Sequence, residues 1–308
     1  MSGWSVRDMP GLRGRTAVVT GANSGIGYAT ARALARAGAR TVLACRDAGR
    51  AAAALDRIRA ELPGAAVEFL SLDLGCLDSV HEFAAGWQGC PLDLLVNNAG
   101  IMAMPFGRTA DGFENQFGIN HLGHFALTGL LLPSLLAAPA ARVVTVSSMV
   151  HIFADIDIAD LNNERRYRPW AAYARSKTAN LLFVHELARR AAAAGVLLVA
   201  AAAHPGYAAT SLQTRKALME GRTGVQRFYE IGNRFFGQSA EAGALPTLYA
   251  ATAPGVRPDD FYGPRVLMWR GAPARSWRAS WTRHDVAGER LWAASEQATG
   301  VRYDALAQ

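Results

Sequence analysis

The sequence predicts an α/β chain in which helices cover both faces of a mostly parallel sheet. Three observations carry that expectation. Apolar runs of five to eight residues alternate with longer Ala-, Leu- and Arg-rich stretches at helical spacing. One run, VLLVAAAA at 196–203, is apolar throughout, as a central strand buried on both faces requires. A glycine-rich turn, TGANSGIG at 20–27, joins the first strand-like run to the first helical one.

Each element follows in order. Residues 16–20 (TAVVT) read as the first strand, and the helix over 26–37 ends at Gly38, a residue suited to the position after a helix. Residues 40–45 (RTVLAC) form the second strand; Asp47 then caps a helix that runs to residue 62 and stops at Pro63-Gly64. A third strand over 67–72, a helix over 77–87 and a fourth strand over 92–97 come next. The spacing predicts a long helix over 112–136, a fifth strand over 142–147 (RVVTVS), a second long helix over 170–194 and the sixth strand over 196–203. After Pro205-Gly206 the pattern loosens. Residues 207–236 set Tyr207, Phe228, Tyr229, Phe235 and Phe236 beside Arg215, Arg222, Arg227 and Arg234, and read as a lid over a substrate pocket. A helix over 240–252 and a last strand near 265–269 complete the pattern. No repeat, linker or low-complexity stretch divides residues 1–308, so a single domain is expected.

Composition narrows the function. With 51% hydrophobic and 19% charged residues the chain is too apolar to be disordered. Its net charge of +7 comes from 32 basic residues against 25 acidic ones, spread from Arg7 to Arg302 without a block, so nucleic acid is not an expected partner. Only Lys177 and Lys216 break an otherwise all-arginine set of cations. Cys45, Cys76 and Cys90 form no CxxC pair and are odd in number, which points away from a zinc site or a disulfide framework and toward a reducing, cytoplasmic setting. Residues 1–15 carry Arg7, Asp8, Arg13 and Arg15 and lack the apolar core of a signal peptide. The most apolar stretches, 122–136 and 191–203, fall short of the roughly 18–20 residues of a membrane span, so a soluble protein is expected.

In the turn at 20–27, glycine admits φ > 0 and lets backbone N–H groups approach a pyrophosphate at the positive end of the helix. Gly21, Asn23, Ser24, Gly25, Ile26 and Gly27 are the candidate contacts. The GxxxGxG spacing also suits a tight turn with no ligand, so other motifs have to decide. A dinucleotide-binding strand commonly ends in an acidic residue for NAD, or a basic one for the 2′-phosphate of NADP. Here the second strand ends Ala44-Cys45-Arg46-Asp47, and the Arg46 guanidinium favours NADP(H) over NAD(H). In the alternative, Asp47 holds the ribose and Arg46 is an ordinary surface residue. Asp73 and Leu74, after the third strand, are candidates for the adenine pocket, with helix capping as the competing role for Asp73.

Tyr173 and Lys177 are four residues apart in a helical segment, so they share a face one turn apart. A phenol with a pKa of about 10 is a weak acid–base catalyst at neutral pH, and a nearby ammonium lowers it by favouring the phenolate. YxxxK pairs are common on helix surfaces. This one uses one of only two lysines and follows a strand ending in Ser147-Ser148, which signals a need for a compact ammonium.

Taken in order, TGANSGIG at 20–27, NNAG at 97–100, Asn120, Ser147-Ser148, YARSK at 173–177 and PGYAAT at 205–210 resemble the motifs of the short-chain dehydrogenase/reductase family over residues 14–270. The resemblance implies a three-layer doubly wound Rossmann fold with a mostly parallel seven-stranded sheet, and hydride transfer between a nicotinamide and a carbonyl or alcohol carbon. It implies Tyr173 as proton donor in reduction and Ser148 as the hydrogen-bond partner of the substrate oxygen. It further implies that Lys177 holds the nicotinamide ribose and lowers the Tyr173 pKa, and that Asn120 kinks its helix and anchors a water of a proton relay. Asn98, Ala99 and Gly100 fall near the adenine-ribose half, Pro205 and Gly206 after the sixth strand, and Thr210 on the nicotinamide carboxamide. Two alternatives stay open: Ser147 as the active hydroxyl, and Asn120 bonded simply to backbone. His121 and His124 lack a third ligand at a useful spacing and read as helix-packing or surface residues, so no metal is expected.

Within the family, VLACRD, NNAGIM, FGINHLGHF, VSSMVH and AHPG are most similar to the retinol-dehydrogenase-like branch, which includes protochlorophyllide reductase and the WW-domain oxidoreductases. That branch implies NADP(H) and lipophilic aldehydes, ketones and alcohols. The sequence shows no N-terminal membrane anchor and no WW module, so a membrane-bound retinoid role is not expected. The resemblance implies pairing through the two long helices, as a homodimer or homotetramer. The function expected from the whole pattern is an NADPH-dependent oxidoreductase. The alternative is a catalytically idle dinucleotide sensor or scaffold, against which the complete Ser-Tyr-Lys set argues.

Overall fold

The computed structural model describes residues 3–87, 89–206 and 238–307; the expected lid and Thr210 lie outside the described residues. Three strand–helix units come first: β1 (Thr16–Thr20), α1 (Gly25–Arg36), β2 (Arg40–Cys45), α2 (Ala48–Glu61), β3 (Val67–Ser71) and α3 (Leu77–Ala85). The chain then returns through β4 (Leu94–Asn97), α4 (Asn115–Phe117), a π-helical turn (Gly118–Leu122), α5 (Gly123–Leu130), α6 (Leu132–Leu136) and β5 (Ala141–Val146). It continues with α7 (Pro169–Ala193), β6 (Leu198–Ala203), α8 (Ala240–Thr252), β7 (Phe261–Val266), β8 (Arg270–Arg275) and α9 (Asp285–Thr299).

Among the described residues the eight strands form one sheet in the order β3-β2-β1-β4-β5-β6-β7-β8. The first seven are parallel, and β8 pairs antiparallel with β7. The mostly parallel sheet expected with seven strands thus has eight, seven of them parallel and one antiparallel at the edge. Side chains alternate between two core layers, as a pleated sheet covered on both faces requires. Val18, Val42, Leu95 and Val143 pack with Phe125, Leu127 and Phe183 on one face. Ala17, Val19, Leu43 and Val96 pack with Leu34, Ile58 and Leu248 on the other. The strand order reverses between β1 and β4, and a crevice opens at such a switch point beyond the strands' C-terminal ends.

Three expectations shift. The helix expected over 112–136 is broken. It starts only after Glu114, whose carboxylate accepts from the N–H groups of Gln116 (2.8 Å) and Phe117 (2.9 Å). It then widens into the π turn and restarts beyond Leu131, with Pro133 in the first turn of α6, where a missing N–H costs nothing. The strand expected near 265–269 is instead the end of β7 and its turn into β8, with Leu267 and Met268 at φ of 49° and 57°. The strand was hidden by Gly263 and Pro264, which argue against an interior strand in sequence. Gly263 is required because a Cβ there would collide with the His204 ring. Finally, α9 was not anticipated, although its buried Gly288, Leu291, Trp292, Ser295 and Thr299 follow a helical stripe. Among the described residues no helix is long and apolar enough to cross a membrane.

Candidate active site

The C-terminal ends of the central strands open into a cavity of about 430 Å³. Gly21, Asn23, Ser24, Gly25, Ile26 and Gly27 all line one end of it. Gly25 takes φ 55°, and a Cβ on Gly27 would collide with the Gly21 carbonyl and the Asn98 amide. Strand end and helix start thus approach more closely than any side chain permits. Ser24 makes no side-chain cap on α1, so the first N–H groups of that helix have no local acceptor from it.

Thr20 holds the opposite wall. Its Oγ1 accepts from the N–H groups of Asn98 and Ala99, both at 2.9 Å, and Asn98 Nδ2 donates to the Thr20 carbonyl at 2.7 Å. The NNAG turn is thereby fixed against the glycine-rich one, with Asn98, Ala99 and Gly100 on the cavity wall.

At the end of β2 the cavity is lined by Cys45, Arg46, Asp47 and Arg50, with Asp73 and Leu74 from the end of β3. Burial pushes the Cys45 thiol up to about 11, so it is a neutral wall with no charge for a ribose. Asp47 Oδ1 accepts from the Arg50 N–H at 2.9 Å as the cap of α2, and its other oxygen lies 3.3 Å from Arg50 Nε. Asp73 Oδ1 accepts from the Gly75 N–H at 2.9 Å. Its Oδ2 is 3.6 Å from Arg46 Nη1, but the Arg46 side chain is 72% exposed, so this pair is weak and the guanidinium is easily redirected. Arg50 escaped the sequence reading; its signal was its place in the first turn after the strand.

At the other end α7 presents Tyr173 and Lys177 beside the end of β5. Tyr173 shares a hydrogen bond with Ser148. Ser147 is committed elsewhere, its hydroxyl donating to the Lys177 carbonyl at 2.8 Å. The Ser148 carbonyl accepts from His151 Nδ1 at 2.7 Å, and His151 Nε2 accepts from the Ala279 N–H at 3.2 Å, a bridge that the sequence did not reveal.

Lys177 is buried, donates to the Val146 carbonyl at 3.1 Å and lies 5.7 Å from the centroid of the Tyr173 ring. Burial lowers it to about 8. Burial also pushes Tyr173 up to about 12, opposed by the Ser148 hydrogen bond. The phenol is therefore protonated at neutral pH.

Asn120 is fully buried in the π turn, behind Gly100 and away from the cavity wall. Its Oδ1 accepts from the Ile101 N–H at 2.8 Å, and its Nδ2 donates to the Ile101 carbonyl and Ser176 Oγ, each at 2.9 Å. The backbone bonding considered in sequence is present, within a π-helical turn. His121 packs inside on Ser295 and His124 on Thr20. Pro205 and Gly206 line the cavity, and Thr210 lies outside the described residues. Ile101, Met102, Val150 and Trp170 add apolar lining that the sequence reading missed, with the Trp170 and Tyr173 ring centroids 6.3 Å apart.

The short chain dehydrogenase family pattern matches residues 15–221. The chain belongs to that family. Retinol dehydrogenase 12 of Homo sapiens is 39% identical over 295 residues, covering 95% of this chain and 89% of that one. Polyprenol dehydrogenase of Mus musculus is 43% identical over 299 residues, covering 95% and 86%. The crystal structure of an uncharacterized protein from Mycobacterium paratuberculosis matches with a TM-score of 0.79 at 44% identity, over 98% of this chain and 99% of that one. The chain is thus a short-chain dehydrogenase of the retinol-dehydrogenase-like branch, an oxidoreductase fold that binds a nicotinamide dinucleotide and acts on alcohol or carbonyl groups.

Proposed function

We propose that this short-chain dehydrogenase is an NADPH-dependent oxidoreductase that interconverts a lipophilic aldehyde or ketone and its alcohol, with Tyr173 as general acid and base, in one domain over residues 1–308. The observation that carries this reading is the placement of Ser148, Tyr173 and Lys177 at one end of a cavity whose other end is a glycine cradle flanked by Arg46 and Arg50. The cradle fits a dinucleotide because α1 begins on the cavity wall with no side-chain cap from Ser24, so its first N–H groups suit a pyrophosphate. When bound, the dinucleotide supplies the hydride donor or acceptor.

Gly21, Asn23, Ser24, Gly25, Ile26 and Gly27 hold the pyrophosphate. Arg46, with Arg50 beside it, takes the adenosine 2′-phosphate, and Cys45 offers no carboxylate to repel it. Asp73 and Leu74 border the adenine; Asn98, Ala99, Gly100, Pro205 and Gly206 close around the cofactor, and Lys177 takes the nicotinamide ribose. In reduction Tyr173 gives its proton to the carbonyl oxygen while Ser148 hydrogen-bonds the same atom. The phenolate left behind is stabilised by the Lys177 ammonium nearby. Asn120 fixes this corner through Ile101 and Ser176. The apolar wall of Ile101, Met102, Val150 and Trp170 favours a lipophilic substrate, and retinol and polyprenol, named for two relatives, are long apolar alcohols.

The test is turnover of a panel of aliphatic and isoprenoid aldehydes and alcohols with each dinucleotide. NADPH is expected to support faster reduction than NADH. Arg46→Asp is expected to weaken NADPH binding by about ten- to a hundredfold and NADH binding little. Equal affinities before and after the replacement defeat the NADP(H) preference; tight binding with no turnover of any carbonyl or alcohol favours the idle sensor instead.

A further inference from the structure

A hydrogen-bonded path leaves the dinucleotide cradle, passes through the interior and reaches the helix that carries Tyr173. His124 stands at its middle. The ring is buried in α5, and its Nδ1 lies 3.0 Å from the Asn120 carbonyl. A carbonyl only accepts, so Nδ1 carries the proton and Nε2 is left as an acceptor. Nε2 lies 2.9 Å from Thr20 Oγ1, so the Thr20 hydroxyl donates to the ring. The same oxygen accepts from the N–H groups of Asn98 and Ala99. Beyond His124, the Asn120 amide reaches Ser176 Oγ at 2.9 Å, and Ser176 donates to the Tyr173 carbonyl at 2.8 Å. Every proton on the path then has one direction.

We propose that His124 is a positioning residue that couples the dinucleotide cradle to the Asn120–Lys177 corner. It touches neither cavity nor substrate and acts through Thr20 on one side and Asn120 on the other. Burial lowers the ring to about 4, with the Lys177 charge adding to the effect, so the imidazole keeps its acceptor nitrogen throughout the neutral range. The α5 backbone supports it, since Thr128 Oγ1 donates to the His124 carbonyl at 2.7 Å and is itself held by Asn97 Nδ2 at 3.0 Å. Lys177 sits across Gly100 from the same corner: a Cβ there would be 3.1 Å from Asn120 Oδ1 and 3.5 Å from Lys177 Nζ. A shift of Asn120 therefore reaches the groups around Tyr173.

This inference rests on the functional reading above, so the native protein is measured first. His124→Leu keeps apolar bulk but removes both side-chain hydrogen bonds, leaving the Thr20 hydroxyl proton only the Val96 carbonyl at 3.4 Å and taking the ring N–H from the Asn120 carbonyl. It is expected to raise the NADPH dissociation constant and to lower kcat, each by about tenfold, the effect of a buried hydrogen-bonding group left without its partner. His124→Gln restores an N–H donor and a carbonyl acceptor and is expected to recover most of both losses. Thr20→Val also takes the acceptor from the Asn98 and Ala99 N–H groups, so it is expected to cost at least as much, and Thr20→Val with His124→Leu to cost no more than Thr20→Val alone. If His124→Leu is too unstable to purify, His124→Gln against Thr20→Val carries the comparison. A lower melting temperature with unchanged dissociation constant, kcat and KM overturns the proposal, as do a Gln variant no better than Leu and additive losses in the double variant. Native protein that binds no dinucleotide refutes the functional reading; native activity that the variants match refutes only the role of His124.

Discussion

Helix α7 is a single element of 25 residues whose two halves treat charge in opposite ways. The C-terminal half pairs what it buries. The Glu186 side chain is 0% exposed, and its carboxylate meets Arg189 Nε at 2.9 Å and Arg190 Nε at 2.6 Å. His185 reaches Asp259 at 2.9 Å and Asp285 at 2.8 Å, and Asp259 also meets the buried Arg278 at 2.6 Å. The N-terminal half leaves its buried ammonium without a counter-charge: among the described residues no carboxylate pairs with Lys177, which donates to the Val146 carbonyl. Paired burial costs little and fixes α7 against α9. Unpaired burial is a standing cost to stability, and such groups cluster where chemistry needs a shifted pKa.

The strongest way to break this contrast is Tyr173→Phe. It is expected to lower kcat by about 10²–10⁴-fold, the range for loss of a general acid, with dinucleotide affinity within about twofold of native. Steady-state kinetics and a fluorescence titration check both; retained turnover would mean that the unpaired half is not a site. Lys177→Met should then separate chemistry from stability. The Val146 carbonyl keeps the Asn180 amide at 3.2 Å, so the variant is expected to lose turnover yet gain about 1–3 kcal/mol at pH 7. The sign follows from linkage. Burial lowers Lys177 from 10.5 to about 8, so between those values the unfolded chain binds the extra proton. Native stability therefore rises with pH across that interval, and the Met variant lacks the rise. Urea denaturation at several pH values measures it, and a destabilised Met variant would refute the cost.

The paired half is expected to respond in the opposite sense. Glu186→Gln removes the counter-charge of Arg190 and one of the two of Arg189, which keeps Glu289 at 2.6 Å; the two guanidinium groups are 29% and 41% exposed, so water compensates in part. A loss of about 2 kcal/mol is expected, with kcat and KM within about twofold of native. Denaturant midpoints and kinetics on the same preparation decide it: a kinetic defect larger than the loss of folded protein would show that the two halves are not separate.

The same contrast explains what was legible in the sequence. Residues 20–27 and the Tyr173–Lys177 pair announce themselves because their logic is local: a turn needs φ > 0 at Gly25, and a helix brings i and i+4 together. Strands β1 to β6 are legible because covered strands read as apolar runs. What was missed depends on partners far along the chain. His124 acquires its meaning from Thr20, 104 residues away, and His151 from Ala279, 128 residues away. Strand β7 hides behind Gly263 because only its neighbour His204 demands a glycine there. Helix α9 has a narrow apolar stripe among polar residues, and its burial is set by packing on α7.

The smallest effect belongs to His185. Both ring nitrogens point at carboxylates, an arrangement that uses two donors and so requires the protonated ring. The hydrogen bond to Asp259 raises His185 above its usual 6.5, with Asp285 adding to it, while burial and the Arg278 charge oppose. A raised value means that the folded state holds the proton more tightly than the unfolded one. The stabilisation is complete below 6.5 and is lost as pH rises through the folded value. Since Asp285 is 66% exposed, its arm is screened, and the whole effect is expected to be about 0.5–1 kcal/mol, smaller in high salt. Urea midpoints taken from pH 6 upward should fall in the native protein more than in His185→Asn, with Tyr173-dependent turnover alike in both. Parallel slopes would mean that the clasp on α9 does not depend on the imidazolium, and that the arginine pairs with Glu186 and Glu289 hold this half of α7.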